Sequence, residues 1–436
     1  MRQRTSRPKL LQAMIDAFSL PDLRRRILIT IGILVIFRFI AHVPLPGVDL
    51  VALKQLFESN ALLGMMDLFS GGAMKNLSVA AMGVYPYITS SIIMMLLVPI
   101  IPRLQAISQE GEGGRSKINL ITHWITVPMA GLQGYGQLVF LQRQGVITAT
   151  DLLPTLAILF SMIAGTIFLV WLGELITEYG IGNGISIIIF GGIVAGLPEL
   201  VGQSFLARDN FFGLAIYGVM LVATVAVIVI FTEAHRRVPV QYAKSVFKGG
   251  RMYRQSGSTH IPLRVNSAGM IPLIFAMSMT LFPGVVASYF VNPATPGFAD
   301  TVARIFNPGT ELPLGIVYWG LYFLLAVGFT FFYATIVYQQ QDLPGTLQRQ
   351  GGFVPGIRPG KNTASYINGV INRITWAGAL FLAGIAVMPF VLRTVTNVGV
   401  IQLSSLGLLI MVGVVLDTMK QLEAQLVMRR YEGFIK

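Results

Sequence analysis

Two glycine-rich stretches are the first candidates for chemistry. GIGNG at 180–184 has the outline of a dinucleotide fingerprint, in which glycines let the backbone approach a pyrophosphate at a helix N-terminus. That motif needs its third glycine one position later, where Ile185 stands, and a strand before it. RPGKN at 358–362 resembles the end of a phosphate loop, yet Gly356 lies one residue too close and Asn362 replaces the magnesium-binding Ser or Thr. The four histidines, His42, His123, His235 and His260, are far apart and make no metal-ligand spacing. Cysteine is absent, which removes disulfides, thiolate metal sites and cysteine nucleophiles together. No catalytic constellation survives, so neither an enzyme nor a cofactor is expected.

What remains is charge. Arg236, Arg237, Lys244, Lys248, Arg251, Arg254 and Arg264 crowd into 233–265, opposed by Glu233 alone. A loop between membrane spans needs only a few positive charges to hold its side of the bilayer. This one is a surface for an anionic partner: lipid, nucleic acid or an acidic protein face. Elsewhere ionisable residues are scarce inside the apolar runs. Arg38 and His42 sit in the outer half of the first run and Asp417 at the cytoplasmic end of the last. Arg38 either pairs or lines a cavity within the bundle, or snorkels to the interface. So little midplane charge argues against ion-coupled solute transport, which stays as the alternative reading. A lipid-modifying enzyme is a third, and lacks the catalytic groups.

The elements that must position these residues are membrane helices. The chain is 54% hydrophobic and only 12% charged, with a net charge of +13. A soluble protein needs roughly twice that charged fraction. Ten runs approach the ~20 residues that span a bilayer: about 27–43, 77–101, 118–141, 153–173, 183–203, 211–232, 266–290, 314–338, 370–392 and 400–419. The third is weakest, interrupted by His123, Gln133 and Gln137. An amphipathic N-terminal stretch precedes the first run, which has no cleavage site and is read as a retained span. Counting Lys and Arg on alternate sides gives 24 against six, placing both termini in the cytoplasm. Loop 174–182, with Glu174 and Glu178, breaks the pattern locally. Loops 233–265 and 339–369 exceed what bundle connections need. Five spans fall before residue 205 and five after, giving halves 1–205 and 206–436. That division is compatible with inverted repeats, although no convincing sequence self-similarity accompanies it.

Between the first two spans, ALLGMMDLFSGGAMKN at 61–76 is apolar, too short to span, and broken by Gly64, Gly71 and Gly72. It is either an external surface helix or a short helix folded back into a cavity. Pro86 bends the second run, while Gly83, Ser90 and Ser91 permit close packing. Val84 with Ile88, and Ile185 with Ile189, are one helical turn apart, which by spacing alone is ordinary packing.

Four segments in order resemble the bacterial SecY family: LFSGGAMKNLSVAAMGVYPYITSSII, WLGELITEYGIGNGISIIIFGGIVAGLP, QYAK with QSGSTHIPLRVNSAGMIPLIFA, and GGFVPGIRPGKNTASYI. The resemblance implies an all-α polytopic protein with ten transmembrane helices, in two five-helix inverted halves around an hourglass pore. It further implies a protein-conducting channel in the bacterial plasma membrane, which passes unfolded secretory chains and releases hydrophobic segments sideways into lipid. Through the matching motifs, Val84, Ile88, Ile185, Ile189, Ile274 and Ile410 carry over as an aliphatic pore ring. Thr89, Asn266 and Phe282 carry over as lateral-gate residues. The stretch near 62–73, with Leu63, Met66, Leu68, Phe69, Ser70, Gly71 and Gly72, resembles the plug. The implied partners are SecE, SecG, the SecA ATPase, the ribosome through its RNA, signal sequences, anionic lipids, and further SecD/SecF and YidC. Docking is expected at Lys244, Lys248, Arg251, Arg254 and Arg358. At the tip, Gly250–Arg251 departs from the adjacent arginines of several relatives.

Overall fold

The computed structural model describes residues 18, 20–59, 67, 70–147, 151–206, 211–248, 251–288, 290, 297–310, 313–341, 343–349, 351–358, 360–396 and 405–435. Helices dominate. The chain order opens with α1 (Pro21–Ile40) and α2 (Leu50–Ser59), then turns through 71–84 into α3 (Tyr85–Ile100) and α4 (Pro102–Gln109). Next come α5 (Glu112–Arg143), α6 (Leu152–Tyr179), α7 (Gly184–Leu206) and α8 (Phe211–Glu233). A hairpin of β1 (His235–Lys248) and β2 (Arg251–Arg264) precedes α9 (Ile271–Ser288), α10 (Phe298–Ile305), α11 (Gly315–Gln341) and α12 (Leu343–Arg349). The short β3 (Gly352–Phe353), α13 (Lys361–Thr396) and α14 (Ser405–Ile435) complete the described chain.

Prolines set several boundaries. Pro21 and Pro102 open α1 and α4, where a missing N–H costs nothing. Ile101, ahead of Pro102, is extended at φ −94° and ψ 111°, and α3 and α4 meet at a 99° bend there. Among the described residues, Leu152–Tyr179, Ala215–Glu233, Gly315–Arg349 and Lys361–Thr394 are each long and apolar enough to cross a membrane. The bent α3–α4 pair adds a fifth if it counts as one span.

Two expected spans start later than hydropathy suggests. The run 77–101 becomes helix only at Tyr85, and the run 266–290 only at Ile271. Both begin with turns because each holds a left-handed glycine, Gly83 at φ 56° and Gly269 at φ 64°. These two helix starts match in detail. Gly83-Val84-Tyr85-Pro86-Tyr87-Ile88 and Gly269-Met270-Ile271-Pro272-Leu273-Ile274 each place proline second in the helix. Each also closes its first turn alike, with Ile88 N donating to Val84 O at 3.1 Å and Ile274 N to Met270 O at 3.3 Å. Six residues are too few to stand out in sequence, but the shared backbone path makes them a local internal repeat.

The chain separates into two compact units, 1–206 with 410–436, and 207–409. In the first, Leu53 of α2, Leu77 and Met82 of the turns, Leu138 of α5 and Met162 of α6 form one core cluster. Leu23, Ile181 and Leu422 form a smaller one, tying the start of α1 to α14.

In the second unit the basic loop 233–265 is a β-hairpin, which the composition did not signal. Its strands pair from His235 with Arg264 to Lys248 with Arg251, leaving only Gly249 and Gly250 between them. Fourteen residues reach about 45 Å at ~3.4 Å each. Period-two alternation buries Val238 and Val240, which pack with Leu263, Leu347 of α12, Val354, and Ile367 and Ile371 of α13. β3 adds a third strand, pairing Phe353 with Gln241 and Gly352 with Tyr242. The two long loops of the sequence are therefore one substructure, sheet order β2-β1-β3.

Candidate functional site

Six aliphatic side chains are the candidates for the ring. Val84 caps α3 and is buried, with half-buried Ile88 one turn on. Ile185 and Ile189 sit one turn apart at the start of α7. That start is shaped by Gly182 at φ 84° and by Asn183, whose Oδ1 accepts the Ser186 N–H at 3.1 Å. Ile185 presses on α6 at Gly173, where an added Cβ would lie 2.8 Å from Ile185 Cγ1. Ile410 of α14 is fully buried and belongs to the first unit with these four. Ile274 of α9, also buried, belongs to the second.

Of the plug residues, Ser70, Gly71 and Gly72 are described, while Leu63, Met66, Leu68 and Phe69 lie outside the described residues. The residue that organises this stretch was not predicted. Asp67, 6% exposed, directs Oδ1 at three donors: Ser70 Oγ at 2.9 Å, Met74 N at 3.0 Å and Lys75 N at 3.2 Å. Burial pushes its carboxyl above the usual range, against the opposing pull of the Ser70 bond, the Lys75 charge and the two amides. Met74 N also donates to Ser70 Oγ at 3.0 Å, and Gly72 N to Asp67 O at 3.2 Å. The result is a self-bonded knot rather than a continued helix.

The knot is seated on α1 and α7. Gly71, at φ 66°, meets Gly192 of α7 backbone to backbone, and an added Cβ would fall 2.7 Å from Gly192 Cα and 3.0 Å from Phe37 Cζ. Arg38 Nη1 donates to Gly71 O at 2.9 Å, so this arginine pairs within the bundle. Gly192 follows Ile189 by three residues, which sets the knot beside a ring candidate.

The lateral-gate candidates are distributed. Thr89 of α3 donates to Tyr85 O at 3.0 Å and accepts from Gln133 Nε2 at 3.3 Å. Asn266 lies in the turns before α9, not in the helix as expected, and its Oδ1 is buried without a hydrogen bond. Phe282 of α9 is 65% exposed, consistent with a lipid-facing position. Among docking candidates, Lys244, Lys248, Arg251 and Arg254 fall on the distal half of the hairpin, with Lys248 and Arg251 paired at its end. Arg358 is exposed, and its carbonyl accepts the Thr363 hydroxyl at 2.9 Å at the start of α13.

Among the described residues no three His, Cys, Asp or Glu side chains are grouped to hold a metal ion. The arrangement offers aliphatic surfaces, a hydrogen-bonded knot and a basic hairpin.

The SecY family model matches residues 78–419. A protein translocase subunit SecY of Streptomyces scabiei is 40% identical, over 98% of this chain and 100% of its own length. Those of Pseudomonas aeruginosa and Thermotoga maritima are 40% and 38% identical, over 92% and 98% of this chain. They cover 91% and 98% of their own lengths. In fold, the chain resembles a solved protein-conducting channel, at TM-score 0.65 and 16% identity over 97% of this chain and 98% of that one. It also resembles canine Sec61 from a ribosome-channel complex, at TM-score 0.63 and 15% identity over the same shares. With the family model covering most of its length and full-length relatives at 40% identity, the chain belongs to the SecY family.

Proposed function

We propose that this multi-pass membrane protein is the channel subunit of a protein translocase. It conducts unfolded secretory polypeptides across the membrane and releases signal or transmembrane segments sideways into lipid. The observation that carries this reading is the 40% identity, over 98% of the chain, to a relative named as a protein translocase subunit.

The proposed pore ring is Val84, Ile88, Ile185, Ile189, Ile274 and Ile410. An unfolded chain must pass whatever its sequence, so polar contacts in the constriction would trap some cargo. Aliphatic side chains offer no hydrogen bonds, dewet when narrow, and yield around side chains of varied size. In this reading 62–73 rests as the plug against the ring, and the seating of Gly71 on Gly192 supports it. Thr89, Asn266 and Phe282 line the sideways exit.

The chain acts as a passive conduit, and force comes from a partner. The hairpin and the Arg358 loop are joined by β3, which supports their use as one docking surface. Its partners are SecA, through complementary charge, and ribosomal RNA, through phosphate neutralisation. Anionic lipid meets the membrane-proximal Arg236 and Arg237. SecE and SecG accompany the subunit. Ten spans in two related halves, both termini cytoplasmic, in a bacterial plasma membrane, complete the reading. The 24-to-6 charge split and the repeated helix start at Gly83 and Gly269 support it.

Photo-crosslinking tests it. A stalled secretory precursor is expected to crosslink to probes at Ile189 and at Phe282. Absence of both products in an assembled, active translocase removes the channel reading.

A further inference from the structure

The second unit leaves an open groove of about 430 Å³ between α11 and α13. From α11 it is lined by Ile316, Trp319, Gly320 and Leu324, and from α13 by Val387 and Phe390. Ile316 to Leu324 is a length of about 12 Å at ~1.5 Å rise per residue. One wall is fixed: the Trp319 ring packs against Tyr318, Tyr322 and Phe390, with centroids 5.1, 6.1 and 5.8 Å away. At Gly320 the groove is empty down to the backbone, and an added Cβ would meet nothing within 4 Å. Both helices belong to segments long and apolar enough to cross a membrane, and Ile316 and Leu324 are 56% and 67% exposed. The groove therefore opens on hydrocarbon.

Its end is not apolar. Arg393 stands one turn beyond Phe390 on α13, so the two share a helix face. Arg393 Nη1 donates to Gly309 O at 3.2 Å, which engages one of the five N–H donors a guanidinium carries. The start of α11 is at the same corner: an added Cβ on Gly315 would lie 2.5 Å from Thr310 O and 3.9 Å from Phe390 Cε2. Arg304, exposed near the end of α10, joins this corner through its carbonyl, which accepts the Thr310 hydroxyl at 2.6 Å. Asp300, one turn earlier on α10, offsets part of that second charge.

An apolar slot ending in a guanidinium matches an amphiphile with one anionic end. A transmembrane helix fits it poorly. Helices associate in lipid through small residues four apart or through interhelical hydrogen bonds. Here Gly320 is flanked at that spacing by Ile316 and Leu324, and the lining holds no carboxylate, amide or hydroxyl side chain. Arginine, in turn, binds phosphate through a planar fork of donors. We propose that the groove between α11 and α13 binds one anionic phospholipid, with an acyl chain lying along Gly320 and the headgroup phosphate on Arg393. The site depends on the membrane placement of these two helices and not on the channel reading. It lies at the other end of α13 from the basic hairpin, which packs on Ile367 and Ile371.

The test uses the complete translocase complex in vesicles of mixed phosphatidylglycerol and phosphatidylcholine. A photoactivatable acyl chain is placed on one lipid and then on the other. Labelled peptides are mapped by mass spectrometry and scaled to the exposed α8 face at Val219 and Val222, which reports bulk lipid. Phosphatidylglycerol is expected to label the groove peptides of α11 and α13 about five-fold more than phosphatidylcholine, the effect of one basic side chain at a membrane surface. Gly320→Leu should reduce groove labelling to the level of the α8 face without lowering the melting temperature. Arg393→Gln should remove the headgroup preference, and Arg393→Lys should keep most of it. Equal labelling by the two lipids in wild type overturns the proposal, as does groove labelling unchanged by Gly320→Leu. A protein crosslinked to a photoreactive residue at Leu324, with no lipid adduct in the groove, overturns it in favour of a helix.

Discussion

Asp67 shows how one side chain can organise a segment that its neighbours in sequence do not explain. One carboxylate oxygen serves a hydroxyl and two amides at positions three, seven and eight residues ahead. No helix brings those groups to one point; a knot does. Burial raises the Asp67 carboxyl, so the folded state favours its protonated form. Its contribution to stability is therefore full at acid pH and is lost as pH rises through the folded value. Asp67→Asn keeps an acceptor oxygen without the buried charge and is expected to melt no lower than wild type at neutral pH. That advantage should vanish in acid. Asp67→Ala removes the shared acceptor and should cost about 1–3 kcal/mol. Melting of the purified protein in detergent checks both, and an Asn variant less stable than the Ala variant would refute this account of the knot. The resemblance pointed to Ser70, Gly71 and Gly72, but no pattern in the sequence distinguished Asp67 from a surface carboxylate.

At the scale of elements, the basic hairpin is stabilised at its base and functional, in our reading, at its charged residues. Val240 is fully buried against α12 and α13, whereas Arg358 is exposed beside them. Val240→Ala should destabilise the base by roughly 1.5–3 kcal/mol, from two buried methyl groups at ~0.8 kcal/mol each and the cavity they leave. Motor-driven transport would fall with it. Arg358→Glu should impair transport at an unchanged melting temperature, because it reverses a charge and unpacks nothing. Equal transport by Arg358→Glu and wild type in reconstituted vesicles would remove Arg358 from the docking surface. The strands were legible only in part. Alternation at Val238 and Val240 and the Gly249–Gly250 pair are hairpin signals. They sit among seven basic residues, which drew the reading to a surface for an anionic partner.

For the whole molecule, the proposed ring includes Ile189 and Ile274. A seal made of equivalent aliphatic side chains should fail in the same direction at either residue. Ile189→Gly and Ile274→Gly are each expected to raise ion leak in reconstituted vesicles while leaving the protein folded. A leak unchanged by one of them excludes that residue from the ring. The second unit excludes α14 beyond Leu409, so the last helix packs with the first unit despite coming after the second in sequence. No composition shift announces that return.

Membrane class and the family motifs were legible in the sequence alone. Hydropathy and charge are sums over neighbouring residues, and short motifs are contiguous, so a linear reading captures them. Tertiary structure decided the delayed starts of α3 and α9, the hairpin and its third strand, and the Asp67 knot. Each depends on a relation between groups: a left-handed glycine set against the first turn of a helix, a strand register, an acceptor shared across a turn. Such relations have no additive trace along the chain, because they exist only once the backbone has closed the distance.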